Sequence, residues 1–438
     1  MLRETCINLN NFFLSVSDAI DLANPAISLH QMRTTYIAWQ LAKEAILPYE
    51  TCRNIYMAAL FHDIGALDPR EKLLLHRFEA QEIDSHCLRG EQLLASIWIL
   101  APAAPIVRYH HLPWKVWRES GARLTDPHVL ESQILNLADF VERSIDRQVY
   151  ILSQVSDIVA KVRSLEGDEF HPEVVDLFED LARREAFWFD VANPRIYSLL
   201  LNRGPLEKVE IDIDSVARLS RFFSRIIDFR SHFTATHSVG VASSAIALSK
   251  YLRFTEREIT LIQIAGNLHD LGKLAIPVEI LEKPGRLTPE EIDIIKKHPY
   301  YTFVILDSID GFEQVTEWAA FHHEKLDGTG YPFRLSAGDL CLGARILAVA
   351  DVFTALLEDR PYRKELPEKE IRRIMEGMAR RRHLDPIIVE ALFDNYPYIS
   401  AYMKEKQEAS RQQFEEIQAL GLMGQKGPDG IFSGVNAF

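Results

Sequence analysis

Cysteine is scarce in this 438-residue sequence: Cys6, Cys52, Cys87 and Cys341 stand apart, with no CxxC pair. That excludes a secreted disulfide framework and a cysteine-based zinc site. Long hydrophobic runs are missing too. The most apolar stretch, Ile97 to Val107, is about half a membrane span and holds Pro102 and Pro105. The N-terminus carries Glu4 and asparagines where a signal peptide has an apolar core. Positive charge is outnumbered, with 49 Lys plus Arg against 63 Asp plus Glu and a net charge of −14. A surface built for nucleic-acid polymers is therefore excluded, whereas a small basic pocket for a phosphorylated metabolite is not. These absences lead to the expectation of a cytoplasmic protein with no membrane partner.

Alternating β-branched runs are also few. Segments such as Ile55–Leu60, Ile259–Leu268 and Ala344–Leu357 instead carry apolar residues at three- and four-residue intervals. Pro and Gly fall mainly between such segments, as in Glu282–Arg286 and Asp327–Pro332. The fold class is all-α, and the length allows two or three domains.

Histidine is abundant, with fifteen residues. Ten of them recur in two ordered sets with two aspartates each. The first set is His30, His62-Asp63, His86, His110-His111 and Asp139; the second is His237, His269-Asp270, His298, His322-His323 and Asp351. In both sets the first His precedes the His-Asp pair by 32 residues, the single His precedes the His-His pair by 24, and the final Asp follows that pair by 28. One gap differs, 24 residues from His62 to His86 against 29 from His269 to His298. Local sequence agrees, as in Ala58–Gly65 beside Ala265–Gly272 and His171-Pro172 beside Asp385-Pro386. The chain is thus a tandem duplication offset by 207 residues, broken near Arg203-Gly-Pro205. The expected division is residues 1–204, 205–400 and a C-terminal segment 401–438, the last with a helix over roughly Ala401 to Leu420 and a glycine-containing tail.

A lone histidine on an apolar helix is more often a packed or surface residue than a ligand. Five histidines and two aspartates repeated at fixed gaps are harder to explain by packing, which Leu or Met would satisfy without polar nitrogens. Seven donors exceed one tetrahedral ion and point to a dinuclear site with a carboxylate between the metals. Mixed imidazole and carboxylate suits Fe, Mn, Zn or Ni better than Ca or a lone Mg.

His237, His269–Lys273, His298-Pro299, His322–Glu324, Asp327–Pro332 and Ala350-Asp351 together resemble the HD-GYP domain, a branch of the HD phosphohydrolase superfamily that hydrolyses cyclic dinucleotides. The resemblance runs from about Ser231 to Tyr396 and includes Asp359–Arg363 and Leu384–Pro386. It implies a metal-dependent phosphodiesterase that opens cyclic di-GMP or 3′,3′-cyclic GMP-AMP to a linear 5′-phosphorylated dinucleotide. It implies one metal on His237, His269, Asp270 and Asp351, and a second on His298, His322 and His323, with Asp270 bridging. Fe or Mn are the leading metals, with Ni, Zn and Mg as alternatives. Lys273 would neutralise phosphate charge, Arg360 and Arg363 would hold the second phosphate or a guanine, and Gly330 and Tyr331 would shape a loop near substrate. That loop is also associated with diguanylate-cyclase-type (GGDEF) partners, and Tyr331 is expected to face outward. Some members hold a third metal through a Glu one turn before the first His; here Phe233 stands there, so two metals are expected.

The first half resembles the HD superfamily but not its GYP branch. His30, His62, Asp63, His86, His110, His111 and Asp139 repeat the ligand types, yet Ala66 replaces the lysine and His111–Trp114 replaces the GYP loop. Either this is a regulatory domain that has lost activity, or it binds one or two further metals and acts as a second, 5′-nucleotidase-like phosphohydrolase. The alternative for the whole chain is a non-enzymatic module that binds a cyclic dinucleotide or a partner. Guanosine tetraphosphate hydrolysis is disfavoured, because Leu271-Gly-Lys273 follows the His-Asp pair where that branch has an acidic couple.

Overall fold

The computed structural model describes residues 6–22, 28–66, 69–76, 83–229, 236–283, 285–358 and 364–423. These residues are mostly helical, joined by turns and loops. Their one sheet is an antiparallel pair of two-residue strands, β1 (Ile7–Asn8) and β2 (Glu210–Ile211), with Ile7 opposite Ile211. No helix among the described residues is long and apolar enough to cross a membrane.

The chain divides into two compact units. The first comprises Val16–Val209 with the described residues from Glu415 onward; the second comprises Glu210–Phe414 with the described residues up to Ser15. Relative to a boundary at 204/205, the N-terminal residues therefore change sides. Their strand pairs with β2, and Phe12 packs on Phe223 and Phe312 at centroid distances of 5.8 and 6.0 Å. A two-residue strand leaves no period in the sequence to show this.

The duplication is visible helix by helix. His30 and His237 are each the first residue of a fifteen-residue helix, His30–Glu44 and His237–Tyr251. Each packs on the helix that follows it, Tyr49–Leu60 or Glu256–Leu268, and on the helix carrying the last aspartate, Val129–Arg143 or Leu342–Leu357. The opening turn of a helix leaves backbone N–H groups unpaired, and both copies fill that need in the same way. Gln31 N–H donates to Asp21 Oδ2 (2.9 Å), and Ser238 N–H donates to Asp228 Oδ2 (3.0 Å). Both aspartates are buried and lie 207 residues apart, so the repeat begins a helix earlier than the histidines reveal. The paired positions His171 and Asp385 are both N-caps ahead of a helix-opening proline, His171 Nδ1 accepting from Glu173 N–H and Asp385 Oδ1 from Ile387 N–H.

The glycine after each His-Asp pair has one steric cause. A Cβ on Gly65 or Gly272 would run into the carbonyl oxygen of His86 or His298 respectively. Glycine there lets the His-Asp turn lie directly on the start of the single-histidine segment, bringing two parts of each histidine set together. The C-terminal helix begins before the expected Ala401 and spans Tyr396–Met423. The tail beyond it lies outside the described residues.

Candidate metal centres

In the second unit the ligand-bearing side chains come from helix ends. His237 opens one helix, His269 closes another, Asp270 follows it, and His298 opens a third. His322-His323 follows the helix Glu313–Ala320, and Asp351 lies inside the Leu342–Leu357 helix. Two triads result, His237/His269/Asp351 and His298/His322/His323, each with ligand atoms within 4.8 Å of one another. Asp270 lies between them. Its Oδ2 is 3.2 Å from His269 Nε2, and its Oδ1 is 3.4 Å from His298 Nε2, so its two oxygens face one histidine of each triad.

The rings are held by the backbone. The Nδ1–H groups of His269, His298 and His322 donate to the carbonyl oxygens of Gly266 (2.8 Å), Ile295 (2.8 Å) and Ala319 (2.6 Å), each three residues back. That fixes the tautomer and turns every Nε2 inward with its lone pair available. Burial pushes His298 down to about 3 and His322 to about 4, and puts His323 well below its ordinary value, so all three are neutral donors at physiological pH. Burial alone would raise the Asp270 carboxyl, but His269 and Lys273 beside it hold it well below the usual range. Asp351 is held low against burial by His237 and His323. His269 Nε2 is buried without a hydrogen-bond partner. A buried nitrogen of this kind, among neutral imidazoles and ionised carboxylates, fits a divalent cation.

Lys273 Nζ forms an ion pair with Asp270 Oδ2. Gly330 lies so close to Glu324 and Lys325 that a Cβ would strike their backbone. Glu324 is buried and accepts Phe333 N–H (2.7 Å) and Leu335 N–H (3.1 Å), pinning the loop. Tyr331 does not face outward as expected. It is half-buried against His323, with centroids 4.9 Å apart and planes at 31°, because Gly330 lets the loop fold back onto the histidine cluster. Arg360, Arg363 and Phe233 lie outside the described residues.

Two supports escaped the sequence. Glu358 Oε2 accepts from His237 Nδ1–H (3.0 Å), and Gln407 Nε2 donates to Glu358 Oε1 (2.5 Å) and to Thr236 O (3.1 Å). Glu358 follows the Leu342–Leu357 helix directly, seven residues after Asp351 and in extended conformation, so helical periodicity does not mark it.

The first unit repeats the centre with a different charge balance. Asp63 Oδ2 is 3.6 Å from both His30 Nε2 and His62 Nε2, and Asp63 Oδ1 is 3.8 Å from His86 Nε2. Ligand atoms group as His30/His62/Asp63 and as Asp63/His86/His110/His111. Asp139 Oδ1 is 3.5 Å from His30 Nε2 and 3.6 Å from His62 Nε2. His62 and His110 donate Nδ1–H to Ala59 O (2.9 Å) and Val107 O (2.6 Å), as their counterparts do. Buried His86 Nδ1 and His110 Nε2 have no hydrogen-bond partner. Ala66 supplies no cation for Asp63, but Arg143 Nε lies 3.1 Å from Asp139 Oδ2, where the second copy has Ala355. His30 Nδ1–H donates to Glu142 Oε2 (2.5 Å), and His76, which no motif marks, is 3.6 Å from the same oxygen.

A family model described as an HD domain matches residues 221–388, and another with the same description matches residues 28–144. The chain belongs to the HD-domain family. It carries two HD domains in tandem, as the resemblance implied. Over 403 residues it is 29% identical to the 3′3′-cGAMP-specific phosphodiesterase 1 of Vibrio cholerae, covering 90% of this chain and 93% of that protein. It is 40% identical to a cyclic di-GMP phosphodiesterase of Pseudomonas aeruginosa over 161 residues, 36% of this chain and 38% of that one. The fold is that of a crystal structure of a cyclic GMP-AMP-specific phosphodiesterase from V. cholerae, with a TM-score of 0.62 at 20% identity over 90% of this chain and 99% of that chain.

Proposed function

We propose that the second HD domain is a metal-dependent phosphodiesterase that opens a cyclic dinucleotide, cyclic di-GMP or 3′,3′-cyclic GMP-AMP, to the linear 5′-phosphorylated dinucleotide. The observation that carries this reading is Asp270, whose two oxygens face one histidine of each triad. Relatives that act on these dinucleotides support the substrate class. His237, His269 and Asp351 would hold one divalent ion, His298, His322 and His323 the other, with Asp270 shared; mixed imidazole and carboxylate donors favour Fe or Mn. Such a pair supplies Lewis acidity and an activated water for in-line attack on phosphorus.

The chain supplies the rest. Fixed Nδ1–H bonds aim the imidazoles of His269, His298 and His322, and Glu358 orients His237. Lys273 places a positive charge where a phosphoryl oxygen gains negative charge as the P–O3′ bond breaks. Tyr331 packs beside His323, so we assign the Gly330–Tyr331 loop to substrate. Four free cysteines fit a reducing compartment and support a cytoplasmic setting.

The decisive experiment combines metal analysis with incubation of cyclic di-GMP and of cyclic GMP-AMP in its 3′,3′ and 2′,3′ forms, products being followed by chromatography. About two metals or more per chain with ring opening are expected. Fewer than about two metals and no turnover of any dinucleotide would overturn the proposal.

For the first HD domain we propose a second phosphohydrolase of 5′-nucleotidase type. Two features support it: the shared placement of Asp63 between its histidines, and the cation restored at Arg143. Phosphate release from the linear product should vanish in a His62→Ala/Asp63→Ala variant while ring opening persists. Unchanged phosphate release would sink it.

A further inference from the structure

In each domain a buried carboxylate holds the first histidine of the set by its Nδ1–H, but the two carboxylates are themselves held by different means. In the first domain Arg33, one turn after His30, brings Nη1 to 3.7 Å from Glu142 Oε1, and Arg147 donates to the same oxygen (2.9 Å). The residue 207 positions after Arg33 is Gly240, one turn after His237. Thr354 stands three residues after Asp351, where Glu142 stands three after Asp139. Glycine offers no cation and threonine no carboxylate. The second domain takes its carboxylate from Glu358 instead, just past the Leu342–Leu357 helix in extended backbone.

Gln407 occupies the space that these exchanges leave. A Cβ on Gly240 would lie 2.5 Å from Gln407 Nε2 and 2.8 Å from Thr354 Cγ2. Glycine is unfavourable inside a helix, and here it admits the buried Gln407 amide. That amide meets two acceptors, Glu358 Oε1 (2.5 Å) and Thr236 O (3.1 Å), so its NH2 group must be the end that faces them. One side chain thereby ties the carboxylate that orients His237 to the backbone immediately before His237. It comes from Tyr396–Met423, a helix that carries none of the repeated histidines or aspartates.

We propose that Gln407 is a positioning residue of the second metal centre, and that it makes the ion on His237, His269 and Asp351 depend on the C-terminal helix. This rests on the dinuclear reading of that domain. Outer partners of a ligating histidine fix its tautomer and ring orientation, and losing one costs about 10–100-fold in metal affinity. The effect falls on one ion, because His298 and His322 are held by the carbonyls of Ile295 and Ala319. The first domain is spared, since Arg33 and Arg147 act there.

The test loads the full chain with Mn(II) and measures bound ions per chain and their release by competition with a chelator. Gln407→Leu removes both donors at similar volume, and Gln407→Glu keeps the shape while placing an acceptor where the donor was. In both variants one ion should be released about 10–100-fold more readily and the others as in wild type. Part of the coupled-pair Mn(II) signal in electron paramagnetic resonance should give way to that of isolated Mn(II). Ile399→Ala is the control, a fully buried residue two turns earlier on the same helix. It should lower the melting temperature without the selective loss. If Gln407→Glu does not fold, Gln407→Leu, which adds no charge, carries the comparison. Unchanged release in the Gln407 variants would overturn the proposal. The same single loss in Ile399→Ala would also overturn it, by reducing Gln407 to helix docking. Fewer than two ions on the wild-type chain would instead overturn the dinuclear reading, and the proposal with it.

Discussion

At the scale of single residues, the two domains solve one charge problem differently. Each buries two aspartates among histidines; the second domain sets Lys273 against Asp270, and the first sets Arg143 against Asp139. In the second domain the cation stands where phosphate charge would grow. Lys273→Ala is therefore expected to lower kcat for dinucleotide hydrolysis by about 10²-fold or more, with bound metal, measured by mass spectrometry, unchanged. A matching fall in metal content would instead make Lys273 a support for Asp270. A second residue gives a pH signature. Asp18 is raised from 3.8 to about 6 by burial and then by Asp21. Its folded state favours the protonated form, so its unfavourable contribution exists above about pH 6 and fades as pH falls towards 4. Asp18→Asn should raise thermal stability at pH 8, by about 1–3 kcal/mol, and change it little at pH 4; equal gains at both values would exclude burial of this charge as the cause. The ten repeated histidines were legible because metal chemistry needs that residue type and spacing repeats it. Glu142 and Glu358, which orient His30 and His237, were not. They sit three residues after Asp139 and seven after Asp351, so no shared offset connects them.

At the scale of elements, what matters is how a helix start is held still. His30 and His237 are first residues of their helices, so their rings move with the opening turn. Buried Asp21 and Asp228 clamp that turn through the next residue's N–H, and Asp228 Oδ1 also accepts the Ser238 hydroxyl (2.7 Å). Asp228→Ala and Asp21→Ala should each cost about 1–2 kcal/mol, as lost caps do. Each should also weaken metal binding in its own domain only, measured by competition with a chelator; Asp228→Asn, which keeps an acceptor for Ser238 N–H, should recover most of the loss. Metal affinity unaffected by Asp228→Ala would show that the cap does not position His237. The aspartates share the 207-residue offset and could have been read from the sequence, but a buried aspartate carries no motif and a search anchored on histidines begins after it. The pairing of His171 with Asp385 was legible through the following proline, and the structure gives it a physical content: two different side chains serve as the same cap.

At the scale of the whole molecule, the sequence repeat and the compact units do not coincide. Duplication accounts for two HD domains, yet the second is built partly from the chain's first residues: β1 pairs with β2, and Phe12, fully buried, packs on Phe223 and Phe312. Nothing in the spacing of the histidines bears on this, since the contact is made by residues more than two hundred positions apart without a repeating pattern. The consequence concerns the second domain, although the residue lies at the start of the chain. Phe12→Ala removes a buried ring that contacts two others and should cost about 3–5 kcal/mol. That loss should fall on the second domain. In a denaturant titration read by hydrogen exchange, amides of the helices Glu256–Leu268 and Leu342–Leu357 should lose protection. Those of His30–Glu44 and Val129–Arg143 should keep theirs, and metal bound by the second domain should be released at lower denaturant. Loss of protection confined to the helices of the first domain would assign the N-terminal residues to the domain that follows them in sequence. A second domain produced from residue 205 onward should show the same weakening, and adding residues 6–15 back through a linker should reverse it.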